Sequence, residues 1–271
     1  MAEAASPPPG RAILGGSFNP PHVGHLRLAI EAREALGDLV QGVDMVPCAV
    51  PPHKARYGEA CDYLEREIRK LGVDIHLNAA VTEAELDGRK PDAVILATGS
   101  VPFVPPIQGL SGGGAVLVDD VLEGRAPVGR RVGIIGGGAI GAETAHLLVE
   151  EEDREVYLIE MRDGIAVDLP QDARICLLHA FGQTPSLHQI TNAKVTAVTP
   201  ESITLERQGQ TEVVDRLDTI ILAVGARANQ GLRPALEARG IPFLVSGDAT
   251  GPKDYVKAIY EGFVAGNTIA E

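Results

Sequence analysis

Two short stretches carry residues whose types and spacing could do chemistry. The first holds Gly136, Gly138 and Gly141 in "GIIGGGAIGAETA", a Gly-x-Gly-x-x-Gly set between the apolar run Val132–Ile135 and a helical pattern from Ala142 to Val149. Each glycine has a task there: one closes a tight turn, one lets a pyrophosphate approach the backbone, and one lets helix pack on strand. Gly137, Ala139 and Ile140 complete the loop, and the helix that follows would turn its unpaired N–H groups and positive dipole end toward the phosphates. The next strand, "EVYLIE", ends in Glu160, 24 residues after Gly136, where an acid can grip the ribose hydroxyls of NAD. Arg162 would instead meet the 2′-phosphate of NADP, or serve as a plain surface cation, so NAD(P)H is expected with the choice open. The bland alternative is a turn that packs a helix and binds nothing.

The second stretch is "GGSFNPPHVGH", residues 15–25. His22 and His25 are three residues apart at the start of a helical pattern, so both imidazoles could face one bound group. With Gly15, Gly16 and Ser17 they could surround a triphosphate and stabilise charge growing on phosphorus under attack. Lys54, in "PPHK", extends the pattern.

Alternating strands and helices must position these residues. Arg11–Gly16 reads as a strand, Val23–Leu36 as a helix and Val43–Val50 as a second strand stopped by Pro51-Pro52. A charged amphipathic helix follows over Asp62–Gly72, then the strands "VDIHLNAAV" and "PDAVILATGS". "VPFVPPIQGLSGGG" is a proline- and glycine-rich crossing. A second β–α–β unit spans Arg131–Glu160, with further strands at "AKVTAVT", "SITLERQ", "DTIILAVGA" and "IPFLV" before a closing helix. This alternation calls for an α/β protein with parallel sheets covered by helices on both faces.

Composition narrows the function. The 271 residues suffice for two small domains, and 45% hydrophobic with 23% charged residues is ordinary for a soluble globular chain. A formal net charge of -13 argues against nucleic acid as a partner, because that affinity rests on cations meeting phosphates. Small-molecule nucleotides need only a local site. Cys48, Cys61 and Cys176 fit no CxxC pattern, are too few for an iron–sulfur cluster and suit a reducing cytoplasm, and no metal site is expected. The "MAEAASPPPG" start lacks the apolar core of a signal peptide, and no run reaches membrane-spanning length.

From about residue 58 to Glu271 the chain resembles the C-terminal FAD/NAD(P)-binding half of the 2,4-dienoyl-CoA reductase, trimethylamine dehydrogenase and NADH:flavin oxidoreductase family. The resemblance rests on "PDAVILATGS", "GIIGGGAIGAETA", "TIILAVGARAN" and "VSGDATGPKDYVKAIYEGFVAG". It implies two Rossmann-like domains with parallel sheets, the FAD-type domain discontinuous around an inserted NAD(P)-type domain. It also implies that Thr98 and Gly99 close the first passage through the flavin domain and that the chain leaves the nicotinamide domain near Gly225. Gly247 and Asp248 would hold the ribityl and pyrophosphate region of FAD. Read from the residues alone, Asp248 could equally cap the last helix. In that family enoyl reduction belongs to an N-terminal barrel with FMN and an iron–sulfur cluster, which this chain lacks. An electron acceptor or barrel-domain partner is therefore unspecified.

Residues 10–57 instead resemble the start of nicotinate-mononucleotide adenylyltransferases, members of the HxGH nucleotidyltransferase superfamily. The flavoprotein's own first β–α–β is absent, and this unit stands in its place. Gly15-Gly16-Ser17-Phe18 lacks the Gly-x-Gly-x-x-Gly spacing, and "VDMVPCAV" ends in no acid for the adenosine ribose, so FAD is implied by the resemblance and not by these residues. The later Ser/Thr-rich turn and arginine that grip ATP are also missing after Lys54. The expected organisation is a flexible tail over 1–9, the transferase-like unit over 10–57, and the flavin-domain remainder over 58–109. The NAD(P) domain then covers 110–228 and the flavin-domain return 229–271. The reading that follows is a chimeric NAD(P)H-dependent flavin oxidoreductase module. Its alternatives are a nucleotidyltransferase using His22, His25 and Lys54, or a non-catalytic NAD-binding fusion.

Overall fold

The computed structural model describes residues 12–15, 40–41, 49–52, 54–71, 75–76, 81–89, 91–150, 154–252 and 255–270. The helix expected over Val23–Leu36, with Gly16, Ser17, His22 and His25, lies outside them. Two compact units emerge, one of Met1–Cys48, Arg56–Val101 and Arg227–Glu271, the other of Ala49–Ala55 and Pro102–Ala226. Both are α/β units built on a five-stranded parallel sheet.

In the second unit the sheet joins β6 (Val116–Leu117), β13 (Thr219–Leu222), β7 (Arg131–Ile135), β8 (Glu155–Ile159) and β9 (Leu187–Ile190), in that order. In the middle strand β7 everything after Arg131 is buried, with Val132 and Ile134 on one face and Ile135 on the other, as a parallel strand covered on both faces must be. The helix α4 (Ala139–Glu150) lays Ala142, Ala145 and Leu148 on the sheet, and small side chains let it approach closely. From β7 the chain proceeds to β8 and β9 on one side and reaches β13 later on the other. The carboxyl end of β7 is therefore the switch point at which open α/β sheets bind ligands. At the opposite end Tyr157 donates to Glu155 Oε1 at 2.7 Å, His188 stacks on Tyr157 at 4.5 Å, and Arg131 pairs with Glu155. The hydrogen bond from Tyr157, with help from His188 and Arg131, holds the Glu155 carboxyl below its ordinary range.

Parallel pairing does not account for the whole of this unit. β10 (Ala193–Thr199), β11 (Ser202–Arg207) and β12 (Gln210–Val214) form a separate antiparallel sheet. Gln208 (φ 53°) and Gly209 (φ 76°) make the two-residue turn between β11 and β12, the positive pair that suits a tight hairpin. The inner face, with Val195, Ile203 and Leu205, packs in one cluster with Ile135 and Leu222.

The first unit's sheet runs β15 (Phe243–Val245), β4 (Ala93–Leu96), β1 (Ala12–Gly15), β2 (Val40–Gln41) and β3 (Ile75–His76). The transferase-like β1 is thus the central strand, parallel to β4 with Ala12 opposite Ala93 and Gly15 opposite Leu96. Two lineages share one sheet. The expected strand over Val43–Val50 is not found where it can be checked. β2 lies earlier, paired to Leu14 and Ile75, while Ala49 and Val50 are not strand and Val50 packs into the second unit's core. The charged helix is longer than expected, α1 over Arg56–Lys70. The remaining elements include the short strands β5 (Ser100–Pro102) and β14 (Ala226–Ala228) and the helices α2 (Glu83–Arg89), α3 (Val118–Leu122), α5 (Gln171–Gly182), α6 (Arg233–Arg239) and the closing α7 (Tyr255–Ala270). No helix among the described residues is long and apolar enough to cross a membrane.

Candidate functional site

The glycine turn sits at the switch point of the second unit, between β7 and α4. Gly136 has φ 106°, a left-handed conformation, and a Cβ there would lie 2.4 Å from the Ala223 carbonyl oxygen. Gly141 brings the helix against the strand end so closely that its Cβ would lie 2.0 Å from the Gly136 oxygen. Gly138 differs: its carbonyl accepts from Ala142 N–H at 2.9 Å, and an added Cβ would meet only the Asp168 carboxylate, at 3.2 Å. Ala139 and Ile140 form the first turn of α4, whose N–H groups have no intrahelical acceptor. Ile140 is half-exposed.

Glu160 is buried at the end of β8 yet fully engaged. Its Oε2 accepts Gly137 N–H at 2.7 Å, and its Oε1 accepts the Arg162 backbone N–H at 2.8 Å and Nε at 3.2 Å. A buried carboxylate is tolerable only with such partners. The acid is therefore bound into the turn and positions the Arg162 guanidinium beside it. Gln at this position keeps one acceptor oxygen and would point an amide NH2 either at Gly137 N–H or at the two Arg162 donors. Glu160→Gln is expected to destabilise the chain by about 2 kcal/mol, read as a lower urea midpoint. A midpoint equal to the wild type would mean that the carboxylate does not hold the turn.

Sequence reasoning missed Asp168. The segment after Glu160 folds back over the turn: Ala166, at φ 51°, donates its N–H to the Gly137 carbonyl at 2.7 Å, and Ile165 and Ala166 are buried. This places Asp168 Oδ1 2.9 Å from the Ala139 N–H, at the mouth of α4. The only sequence signal was an acid two residues before Pro170, which is uninformative by itself.

In the first unit Thr98 is buried and donates its hydroxyl to the Asn229 carbonyl, while Gly99 (φ 68°) accepts Asn229 N–H at 2.9 Å. In the second unit Gly225 (φ 93°) accepts Phe103 N–H at 3.0 Å. Gly247 (φ 65°) donates its N–H to Glu261 Oε2 on α7 at 3.0 Å, and Thr250 Oγ1 reaches the same carboxylate at 3.1 Å. Asp248 is buried inside this short 3-10 turn, seven residues ahead of Tyr255, where the described part of the closing helix begins. Beside it Ser246 is 1% exposed, and its Oγ has no hydrogen-bond partner among the described residues. A buried carboxylate next to an unsatisfied hydroxyl fits a polyhydroxylated chain such as ribityl. Of the transferase-like set, Lys54 forms an ion pair with Glu143 of α4 at 2.5 Å, whereas His22 and His25 lie outside the described residues.

Comparison with known proteins decides the family. The model for pyridine nucleotide-disulphide oxidoreductases matches residues 89–248, more than half of the chain. The chain belongs to that family. It is 34% identical over 222 residues to the bilirubin reductase of Mediterraneibacter gnavus, an alignment covering 82% of this chain and 34% of the relative. The chain thus spans about a third of that relative's length. Its fold matches 2-naphthoyl-CoA reductase, solved with 2-naphthoyl-CoA, at a TM-score of 0.84 and 23% identity, over 96% of this chain and 40% of that one. A cytidylyltransferase-like model matches residues 13–67. The chain is also 40% identical over 100 residues to the "probable nicotinate-nucleotide adenylyltransferase" of Chromohalobacter salexigens, covering 36% of this chain and 44% of that protein. The N-terminus and the remainder therefore resemble different families, as the sequence patterns indicated.

Proposed function

We propose that this member of the family is a chimeric oxidoreductase module that binds NAD(P)H on the turn Gly136–Gly141 and a flavin dinucleotide in the first unit. The observation that carries the reading is the turn itself: glycines at a switch point, the start of a helix directly after them, and a strand-end acid with an arginine beside it. The bound flavin would supply the chemistry, accepting a hydride from the nicotinamide and passing two electrons on. The protein's own residues bind and orient. The first turn of α4 offers N–H donors to the pyrophosphate, and Glu160 keeps Gly137 and Arg162 in place beside the adenosine ribose. Gly225 belongs to the chain's exit from the nicotinamide-binding unit. Asp248 and Ser246 would take hydroxyls of the ribityl chain, with Thr98, Gly99 and Gly247 shaping the backbone around them. The proposed acceptor is a small two-electron acceptor, as in a diaphorase. Enoyl-CoA reduction would require a barrel partner, and the proposed setting is the cytoplasm.

The test is the visible spectrum of the full chain, recorded with saturating FAD and then with anaerobic NADH or NADPH. The expected result is a flavin band that stays with the protein through gel filtration and bleaches on addition of reduced nucleotide. Loss of the band on gel filtration would overturn flavin binding by the hybrid first unit. Pyrophosphate release from ATP and nicotinate mononucleotide in the same preparation would favour the transferase alternative.

A further inference from the structure

The phosphate-binding end of α4 is held by an acid from the protein itself. Asp168 Oδ1 accepts the Ala139 N–H at 2.9 Å. The same carboxylate also lies against the open side of Gly138, with Oδ2 3.2 Å and Oδ1 3.5 Å from where a Cβ would stand. Those two features, an open N–H at the helix start and a glycine cleared for close approach, are what a dinucleotide turn offers to its pyrophosphate. One carboxylate uses both. Negative charge is favoured at a helix N-terminus whatever molecule carries it, so an acid from the chain and a phosphate from a ligand compete for one position.

We propose that Asp168 is an affinity-setting residue that occupies the pyrophosphate position of the glycine turn and must swing out when a dinucleotide binds. The inference rests on reading that turn as the NAD(P)H site. Displacement requires no movement of the backbone. The Ala166 N–H bond to Gly137 and the Leu169 N–H bond to Ala166 anchor the segment on either side of Val167-Asp168. Asp168 itself is exposed, so its side chain can rotate into water. Binding then exchanges one anion for another at α4, and the lost carboxylate cap is subtracted from the affinity. The consequence is a weaker hold on reduced nucleotide than the bare turn would give.

The experiment is calorimetric titration of NADH, NADPH and inorganic pyrophosphate into the full chain, with Asp168→Asn beside the wild type. Asparagine keeps the shape and an acceptor oxygen for Ala139 while removing the charge. Asp168→Ser, with a shorter neutral cap, serves if the first variant fails to fold. The expected result is dinucleotide affinity about tenfold higher in the variant, equivalent to about 1.4 kcal/mol. Pyrophosphate should tighten as well, while the melting temperature without ligand falls. Equal affinity with a lower melting temperature would make Asp168 a plain helix cap, and weaker binding would make it a cofactor contact; either overturns the proposal. If pyrophosphate tightens in the variant but neither protein binds a dinucleotide, the competition stands and the nucleotide reading fails. If no ligand binds either protein, both fall.

Discussion

Gly138→Val is expected to lower the affinity for NADH and NADPH by about a hundredfold, corresponding to about 2.7 kcal/mol, while leaving the protein folded. The two halves of that expectation have separate causes. Folding is spared because Gly138 is not held at positive φ, and its Cβ would meet only the end of the Asp168 side chain, which can rotate away. Binding is lost because a branched side chain at this position stands where the pyrophosphate must come within hydrogen-bond reach of the backbone. Fluorescence titration of the reduced nucleotide, with a melting curve of the same sample, measures both. Undiminished binding would mean that the glycines serve only helix packing.

Gly141→Val tests the other half of the motif and should fail in the opposite way. The substituted Cβ would sit 2.0 Å from the Gly136 carbonyl oxygen and 3.2 Å from Ala223 Cβ, two residues just past strand ends and tied to the sheet by backbone hydrogen bonds to Ile159 and Ile135. No rotamer relieves a clash at Cβ. The helix must lift from β7, and Ala142, Ala145 and Leu148, all buried, lose contact with the sheet. The expected cost is about 3 kcal/mol, seen as a fall of about 10 °C in melting temperature for a unit of this size. Nucleotide affinity falls with it. An unchanged melting temperature would show that α4 can shift along the strand without loss of packing. The contrast separates a glycine kept for the ligand from one kept for the fold, although both occupy the same six-residue motif.

The first unit, proposed to hold the flavin, shows the reverse balance. There Asp248 and Ser246 would take ribityl hydroxyls, while the central strand β1 lies in the cytidylyltransferase-like match. β1 can take the central place because a parallel strand needs only backbone hydrogen bonds and an apolar, two-sided surface, and "AILG" supplies both. Phosphate binding asks more of a turn than strand pairing does.

By itself the sequence determined what depends on neighbours along the chain. The glycine turn was legible because strand, glycines, helix and terminal acid all fall within about thirty residues. The apolar strands Ala93–Leu96 and Thr219–Leu222 and the closing helix were legible from runs and periodicity. Tertiary structure alone decided what depends on distant partners. It separated the β10–β11–β12 ladder from the parallel sheet, since pairing direction is not written in a strand's own alternation. It placed a strand at Val40–Gln41, ahead of the expected one, where Leu14 and Ile75 supply its partners. It bound Glu160 into the turn through Gly137 and Arg162. It also brought Asp168 back onto Ala139, 29 residues earlier in the chain. A single acid after a strand carries no local mark of where a fold-back will place it, and only the packing of Ile165 and Ala166 beneath the turn fixes that position.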